Sequence, residues 1–233
     1  MGDLPLEGRM IVFVGANSQL ALQCASALAN EDLVVGLCRE AREETRKTYS
    51  RVLEMDYRHP DRAVEQLDRM LEGRITFANF AACKIDKLFL NLTSEDVDEA
   101  LDVNVRLNFA VLPTILRRMM AAKWGRIVFL SSTGAERGDV GLSLYSVGKA
   151  GLLGLARVLA KEYGRFGVTT NVLSLGYFDT QMFSNLSEES RARLRSQIPS
   201  RKLGDAANIV ESIRYLVRSN YVNGAVVPVD GGI

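Results

Sequence analysis

Short apolar runs alternate with longer amphipathic stretches along almost the whole chain. Residues 10–14 (M-I-V-F-V) form a fully apolar run of the kind that a strand covered on both faces requires. Further strands are expected at 33–38, 51–55, 75–80, 126–130, 169–175 and 225–229. Helical patterns fall between them: one ending at Ala29, a short charged one within 39–47, then 60–71, 94–122, 143–163, 187–197 and 205–217. Pro60 suits the start of its helix, and Ser94 with Val97 has the spacing of a capping box without its Glu. Strands alternating with helices imply repeated βαβ units, hence a parallel sheet with helices on both faces. The expected class is α/β, an open doubly wound parallel sheet of about seven strands, with ligands beyond the carboxyl ends of the strands. No linker, low-complexity tract or repeat interrupts the pattern, so residues 1–233 are read as one domain.

Composition narrows the function classes. A net charge of +1 lacks the excess of Lys and Arg that a nucleic-acid partner demands. No apolar run approaches the roughly 20 residues of a membrane span. The opening M-G-D-L-P-L has neither the basic nor the apolar region of a secretory signal, and Gly2 lacks the hydroxyl residue that myristoylation needs. Cys24, Cys38 and Cys83 are odd in number and form no C-x-x-C, which points to reduced thiols in a cytoplasmic protein without a zinc site. The only histidine, His59, sits in a polar D-Y-R-H-P turn. Catalysis therefore falls to Tyr, Lys, Ser or carboxylates rather than to a histidine-based triad.

Residues 131–149 (S-S-T-G-A-E-R-G-D-V-G-L-S-L-Y-S-V-G-K) supply such groups. Tyr145 and Lys149 are four apart, so a helix starting near Ser143 stacks them on one face. Ser132, at the end of the preceding strand, meets that face if strand and helix pack. A phenol, an ammonium and a hydroxyl together form a proton-donating site. An exposed helix pair is the plainer reading of the same residues.

The first strand runs into Gly15-Ala16-Asn17-Ser18-Gln19-Leu20-Ala21 and then a helix. Such a turn offers free N–H groups and a helix dipole to a pyrophosphate, or is simply a tight turn. The second strand ends at Cys38-Arg39. An Arg there suits the 2′-phosphate of NADP, whereas NAD enzymes usually place an acid at the tip; a solvated charge among Arg42, Arg46 and Lys47 is the alternative.

With Gly15, Asn79-Phe80-Ala81-Ala82, Asn104, Ser132, Tyr145-x-x-x-Lys149 and the closing Val229-Asp230-Gly231-Gly232 in order, the chain resembles the short-chain dehydrogenase/reductase family over nearly its whole length. It looks most like the compact members typified by 3-oxoacyl-acyl-carrier-protein reductases, which have Rossmann-type folds. The resemblance implies that Tyr145 is the general acid for ketone reduction, with Lys149 lowering its pKa and holding the nicotinamide ribose. It implies that Ser132 binds the substrate oxygen and that Asn104 positions a water beside Lys149. It also implies a cofactor site made by Gly15, Asn17, Ser18, Gln19, Leu20, Arg39, Asp56, Tyr57, Asn79, Ala81, Gly176, Phe178 and Thr180, filled by NADPH/NADP in preference to NAD.

The chain departs from the family pattern. The usual T-G-x-x-x-G-x-G is V-G-A-N-S-Q-L-A, N-N-A-G is N-F-A-A, and the Pro-Gly after the sixth strand is Leu175-Gly176. Gln19 puts a side chain where backbone normally nears phosphate; a left-handed conformation there would cost roughly 1–2 kcal/mol. The expectation is that Gln19 is compatible with the site, its amide covering the pyrophosphate.

The resemblance makes residues 177–202 a substrate lid. Tyr177, Phe178, Met182 and Phe183 in it suit an apolar chain. Arg191, Arg193, Arg195, Arg201 and Lys202 form either a solvated face or, with Lys123 and Arg126, a docking surface for an acidic carrier protein. In the family that the chain resembles, the helices matching 94–122 and 143–163 form a dimer bundle, so the resemblance implies a homo-oligomer, dimer or tetramer. The resulting expectation is NADPH-dependent reduction of a ketone, a carrier-bound 3-oxoacyl thioester. Its alternatives are a dehydrogenase of a sugar, steroid or other secondary alcohol, and a non-catalytic nucleotide-binding scaffold.

Overall fold

The structure, a computed structural model, describes residues 9–185 and 187–233. The N-terminal stretch read for targeting signals lies outside them, as does the side chain of Met182. Seven strands follow in chain order: β1 (Arg9–Val14), β2 (Leu33–Cys38), β3 (Arg51–Glu54), β4 (Arg74–Asn79), β5 (Gly125–Ser132), β6 (Val168–Leu175) and β7 (Val226–Val229). They form one sheet of order β3-β2-β1-β4-β5-β6-β7, and every pairing is parallel. The class expected from the alternating pattern is the one observed.

Helices cover both faces. On one, α3 (Asp61–Met70), α5 (Leu107–Ala121) and α7 (Ser143–Tyr163) bury Leu67, Val111, Ile115 and Leu152 against Phe77 and Phe129 of the sheet. On the other, α1 (Gln19–Leu28) and α10 (Ala206–Arg218) bury Cys24, Leu28, Ile209 and Ile213 against Ile11 and Phe13. Apolar residues on both sides of each central strand explain why β1 carries no alternating polar positions. The short α2 (Glu43–Thr48) lies over the outer strands.

The chain runs outward from β1 to β3, then returns to the other side of β1 as β4. That reversal opens a crevice beyond the carboxyl ends of β1 and β4, the place where a doubly wound sheet takes its ligand.

Three local expectations are corrected. The cap of α4 (Ser94–Leu101) is one residue earlier than its spacing suggested: Thr93 accepts from the Asp96 N–H at 3.2 Å, and Asp96 accepts from the Thr93 N–H at 2.9 Å. Aspartate completes the box that seemed to lack its acid. The helix expected over 94–122 is not continuous, because a π-helical turn at Asp102–Arg106 separates α4 from α5. Two short helices, α6 (Thr133–Arg137) and α8 (Gln181–Ser184), stand where loop was expected, before α7 and before α9 (Glu188–Gln197).

Candidate active site

The parallel register fixes where the chemistry gathers. Ser132 ends β5 and pairs with Leu175 at the end of β6, while Asn79 ends β4. Tyr145 and Lys149 lie in the first two turns of α7, which packs on β5 and β6. The expected trio is therefore held on adjoining elements. Ser132 also caps α6, its Oγ accepting from the Gly134 N–H at 3.2 Å, which fixes the hydroxyl at the strand tip.

Lys149 is 3% exposed, and its ammonium donates to the carbonyls of Leu130 at 2.9 Å and Ala81 at 3.1 Å. Desolvation lowers its pKa to about 8. Its Nζ lies 5.9 Å from the Tyr145 ring centroid. Burial pushes the Tyr145 phenol above its ordinary value, and Ser132, which favours the ionised form, offsets this only in part. In the protein alone the Lys149 ammonium is turned to the Leu130 and Ala81 carbonyls. A phenol that stays protonated suits an acid.

Behind the trio runs a ladder of amides. Asn79 accepts from the Ala81 N–H at 2.8 Å and donates to Asn108 Oδ1 at 2.7 Å. Asn108 in turn donates to the Asn104 carbonyl at 3.2 Å. The Asn104 side chain makes two 2.9 Å bonds to the backbone of Cys83. The π turn, a device found often at functional sites, places Asn104 inward at 2% exposure. Asn104 thus holds backbone through its side chain. Sequence reading missed Asn108; its signal was the i, i+4 spacing from Asn104.

On the nucleotide side, Gly15 has φ +79°, and a Cβ there would lie 2.5 Å from the Ala81 nitrogen. Only glycine lets the first turn close against the segment after β4. Ser18 caps α1 by accepting from the Ala21 N–H at 3.2 Å, leaving the first-turn N–H groups of Gln19 and Leu20 without intrahelical acceptors. Asn17 ties this turn to its neighbours through the Glu40 carbonyl at 2.7 Å and the Thr45 hydroxyl at 2.6 Å. Gln19 is a right-handed helical residue, since among the described non-glycine residues only Lys123 and Arg201 have positive φ, so the feared strain is absent. Its amide oxygen accepts from the Gln181 N–H at 2.7 Å, so it reaches the start of α8 rather than standing free over a phosphate.

Arg39 at the tip of β2 has a side chain 66% exposed, held only loosely by Glu99 at 4.0 Å. Asp56 accepts from the Arg58 N–H at 3.0 Å in a turn after β3. Tyr57 is 7% exposed with its ring in the core, which pushes its phenol up to about 12 and leaves its backbone as the part that can face a nucleotide. Gly176 and Thr180 follow β6, with Thr180 at the cap of α8. These residues fit a dinucleotide: free amides at a helix start, a strap after β4 whose backbone is held by Asn79 and Asn104, and an exposed guanidinium at the β2 tip.

Phe178 and Phe183 are buried, at 7% and 6% exposure, and Phe178 packs against Gly204. Of the cations read as a solvated face or a docking surface, three have partners within the chain. Arg191 pairs with Glu188 at 2.7 Å, and Arg195 stacks on Phe183 at 5.4 Å. Arg126 is 4% exposed near the amino end of β5, opposite the site, and donates to the Val217 carbonyl at the end of α10 at 3.0 Å. It is a cation at a helix C-terminus, so it is removed from any carrier-docking face.

Comparison with known proteins agrees with this geometry. Residues 15–233 match the family model described as Enoyl-(Acyl carrier protein) reductase. A 3-oxoacyl-[acyl-carrier-protein] reductase of Aquifex aeolicus is 35% identical over 175 residues, which is 74% of this chain and 71% of that protein. Its counterpart from Buchnera aphidicola is 28% identical, covering 97% of both chains. Among solved structures, a putative 2-deoxy-D-gluconate 3-dehydrogenase from Agrobacterium tumefaciens with bound NADP superposes with a TM-score of 0.84 at 25% identity, over 98% of both chains. An actinorhodin polyketide ketoreductase with NADPH gives 0.86 at 23%, over 99% of this chain and 98% of that one, a likeness of fold. With strand order, strand-tip residues and family match in agreement, the chain belongs to the short-chain dehydrogenase/reductase family.

Proposed function

We propose that this chain is a cytoplasmic NADPH-dependent reductase that converts a ketone to a secondary alcohol, with a 3-oxoacyl thioester on a carrier protein as its substrate. One domain over residues 1–233 carries the reaction, with residues 177–202 as the lid. The observation that supports this most is Tyr145: a phenol raised by burial, beside the Ser132 hydroxyl, on the helix that also holds Lys149. The resemblance to carrier-protein reductases supports the acyl class.

When bound, the nicotinamide supplies the hydride. Tyr145 gives its phenolic proton to the substrate oxygen, and Ser132 holds that oxygen by a hydrogen bond. Lys149 keeps a positive charge beside the phenol, which eases proton loss at the moment of transfer. The Gln19 and Leu20 amides take the pyrophosphate, Arg39 the 2′-phosphate, and Asp56, Asn79 and Ala81 the adenosine side.

The homo-oligomer reading draws support from α5 and α7, which leave Phe109 and Val147 each 62% exposed and Val158 half exposed. A monomeric mass by light scattering at micromolar concentration refutes that part. A second substrate reading, a sugar-like or other small secondary alcohol, is favoured by the hydrogen-bonding side chains of Arg137, Asp139, Ser190, Arg193 and Gln197 around one open cleft.

The test is NADPH consumption with an acetoacetyl thioester, in the wild type and in Tyr145→Phe. Removing a general acid is expected to lower kcat by at least about 100-fold. Equal rates in the two proteins refute the mechanism, and tight NADPH binding without turnover of any ketone favours a scaffold.

A further inference from the structure

Asn108 is a buried amide in an otherwise apolar stretch. It is 1% exposed and sits between Leu107 and Phe109 in the first turn of α5. An amide taken out of water costs free energy unless its donors and acceptor find partners. Asn108 Nδ2 donates to the carbonyls of Asn104 at 3.2 Å and Val105 at 3.4 Å, both in the π turn. Its Oδ1 accepts from Asn79 Nδ2 at 2.7 Å.

These bonds can run in one direction only. They start at a pure donor, the Ala81 N–H, which meets Asn79 Oδ1 at 2.8 Å. Asn79 then turns its NH2 to Asn108, Asn108 answers with its oxygen, and its own NH2 ends on carbonyls, which only accept. Asn108 thereby sets which way the Asn79 amide faces. An Asn79 turned the other way would set its NH2 against the Ala81 N–H.

The carbonyl of the same Ala81 accepts from Lys149 Nζ at 3.1 Å, beside the Leu130 carbonyl at 2.9 Å. Leu130 is fixed by the ladder of β5, whereas residues 80–88 after β4 belong to no strand or helix. Side chains hold that segment instead. Asn79, set by Asn108, takes Ala81, and Asn104 takes Cys83 at both N–H and C=O. Burial alone displaces the Lys149 pKa, with no charged side chain contributing, so its carbonyl acceptors are what favour the ammonium.

We infer that Asn108 is a positioning residue for Lys149: by orienting Asn79 it holds the Ala81 carbonyl where that carbonyl receives the ammonium beside Tyr145. This rests on the reading of Tyr145 and Lys149 as the proton-transfer pair, and adds to it a residue that acts through Asn79 and Ala81.

The experiment follows kcat against pH, at saturating NADPH and acetoacetyl thioester, in the wild type, Asn108→Leu, Asn79→Ala and the double variant. Leucine keeps the bulk and removes the amide. Ile213→Val, in α10 on the other face of the sheet, controls for a loss of stability alone. Asn108→Leu is expected to lower kcat about tenfold and to move the alkaline limb, where Lys149 sheds its proton, down by about half a pH unit to one unit. Ile213→Val should leave the limb in place. Because Asn108 acts through Asn79, the double variant should fall no further than the lower of the two single variants. An unmoved limb in Asn108→Leu, or losses that multiply, overturns the inference and leaves the reductase reading intact. If Asn108→Leu fails to fold, Asn79→Ala decides: the same downward shift sustains the inference, and an unmoved limb overturns it. If the wild type turns over no ketone, that reading fails and Lys149 is followed directly by NMR titration of isotope-labelled lysine, its signal identified by its loss in Lys149→Met. A lower midpoint in Asn108→Leu then sustains the inference, and equal midpoints overturn it.

Discussion

Gly148 of α7 faces Asn104 of the π turn so closely that a Cβ on the glycine would stand 2.5 Å from Asn104 Cβ and 3.2 Å from its amide. The absent side chain is what lets the helix bearing Tyr145 and Lys149 approach the turn that holds Cys83. Gly148→Ala gains up to about 1 kcal/mol in helix propensity and pays overpacking of about 1–3 kcal/mol. The expected outcome is a net loss of stability in urea titration with a lower kcat. An unchanged midpoint and rate would show that the turn can yield.

Lys149 makes stability depend on pH. Burial lowers its pKa from 10.5 to about 8, so between those values the unfolded chain holds a proton that the native chain has released. More protons on the unfolded state means that stability rises with pH across this window. Lys149→Met lacks the effect. The stability of the wild type minus that of Lys149→Met is expected to rise by about 3 kcal/mol from pH 8 to 10.5, read by urea unfolding at each pH. A flat difference would mean that the amine is solvated.

The fold was legible because it depends on patterns that neighbours along the chain share. Residues 33–38 and 143–163 were bounded in the sequence as they stand in the structure, β2 by its apolar run and α7 by its periodicity. The grouping of Ser132, Tyr145 and Lys149 on adjoining elements was legible through their spacing. What stayed hidden depends on contacts across the chain. Nothing local in N-F-A-A-C announces that Cys83 will take both ends of Asn104, or that the resulting turn will be π-helical. The burial of Phe178 and Phe183 was not legible, because hydrophobicity alone cannot distinguish a cavity wall from the core. Arg126 read as a surface cation because its three carbonyl partners, in Gly125, Gly167 and Val217, come together only in the fold.

Arg39 should set the choice between the two dinucleotides. Among the described residues its exposed guanidinium has no ion-pair partner but Glu99 at 4.0 Å. Replacing it with Glu removes a charge-assisted partner for a 2′-phosphate and adds repulsion, a change of at least about tenfold in binding. Fluorescence titration is expected to show weaker NADPH binding in Arg39→Glu with NADH weakened less or improved. Equal loss for both dinucleotides would place the 2′-phosphate elsewhere.

Gln19 stands where the family pattern has a glycine, and its side chain reaches the start of α8. The Gln181 N–H opens the short helix α8, where no intrahelical acceptor exists, and Gln19 Oε1 supplies one at 2.7 Å. Such a bond contributes about 1 kcal/mol, enough to change the population of an opened lid about fivefold. Amide hydrogen exchange across residues 181–198 is expected to speed up by about that factor in Gln19→Gly. Gln19→Leu should match it, because leucine keeps the bulk and loses only the acceptor. If Gln19→Leu exchanges like the wild type while Gln19→Gly is fast, packing rather than the hydrogen bond restrains the lid. If neither variant changes, the lid is held by its own contacts, such as Phe183 beneath Arg195.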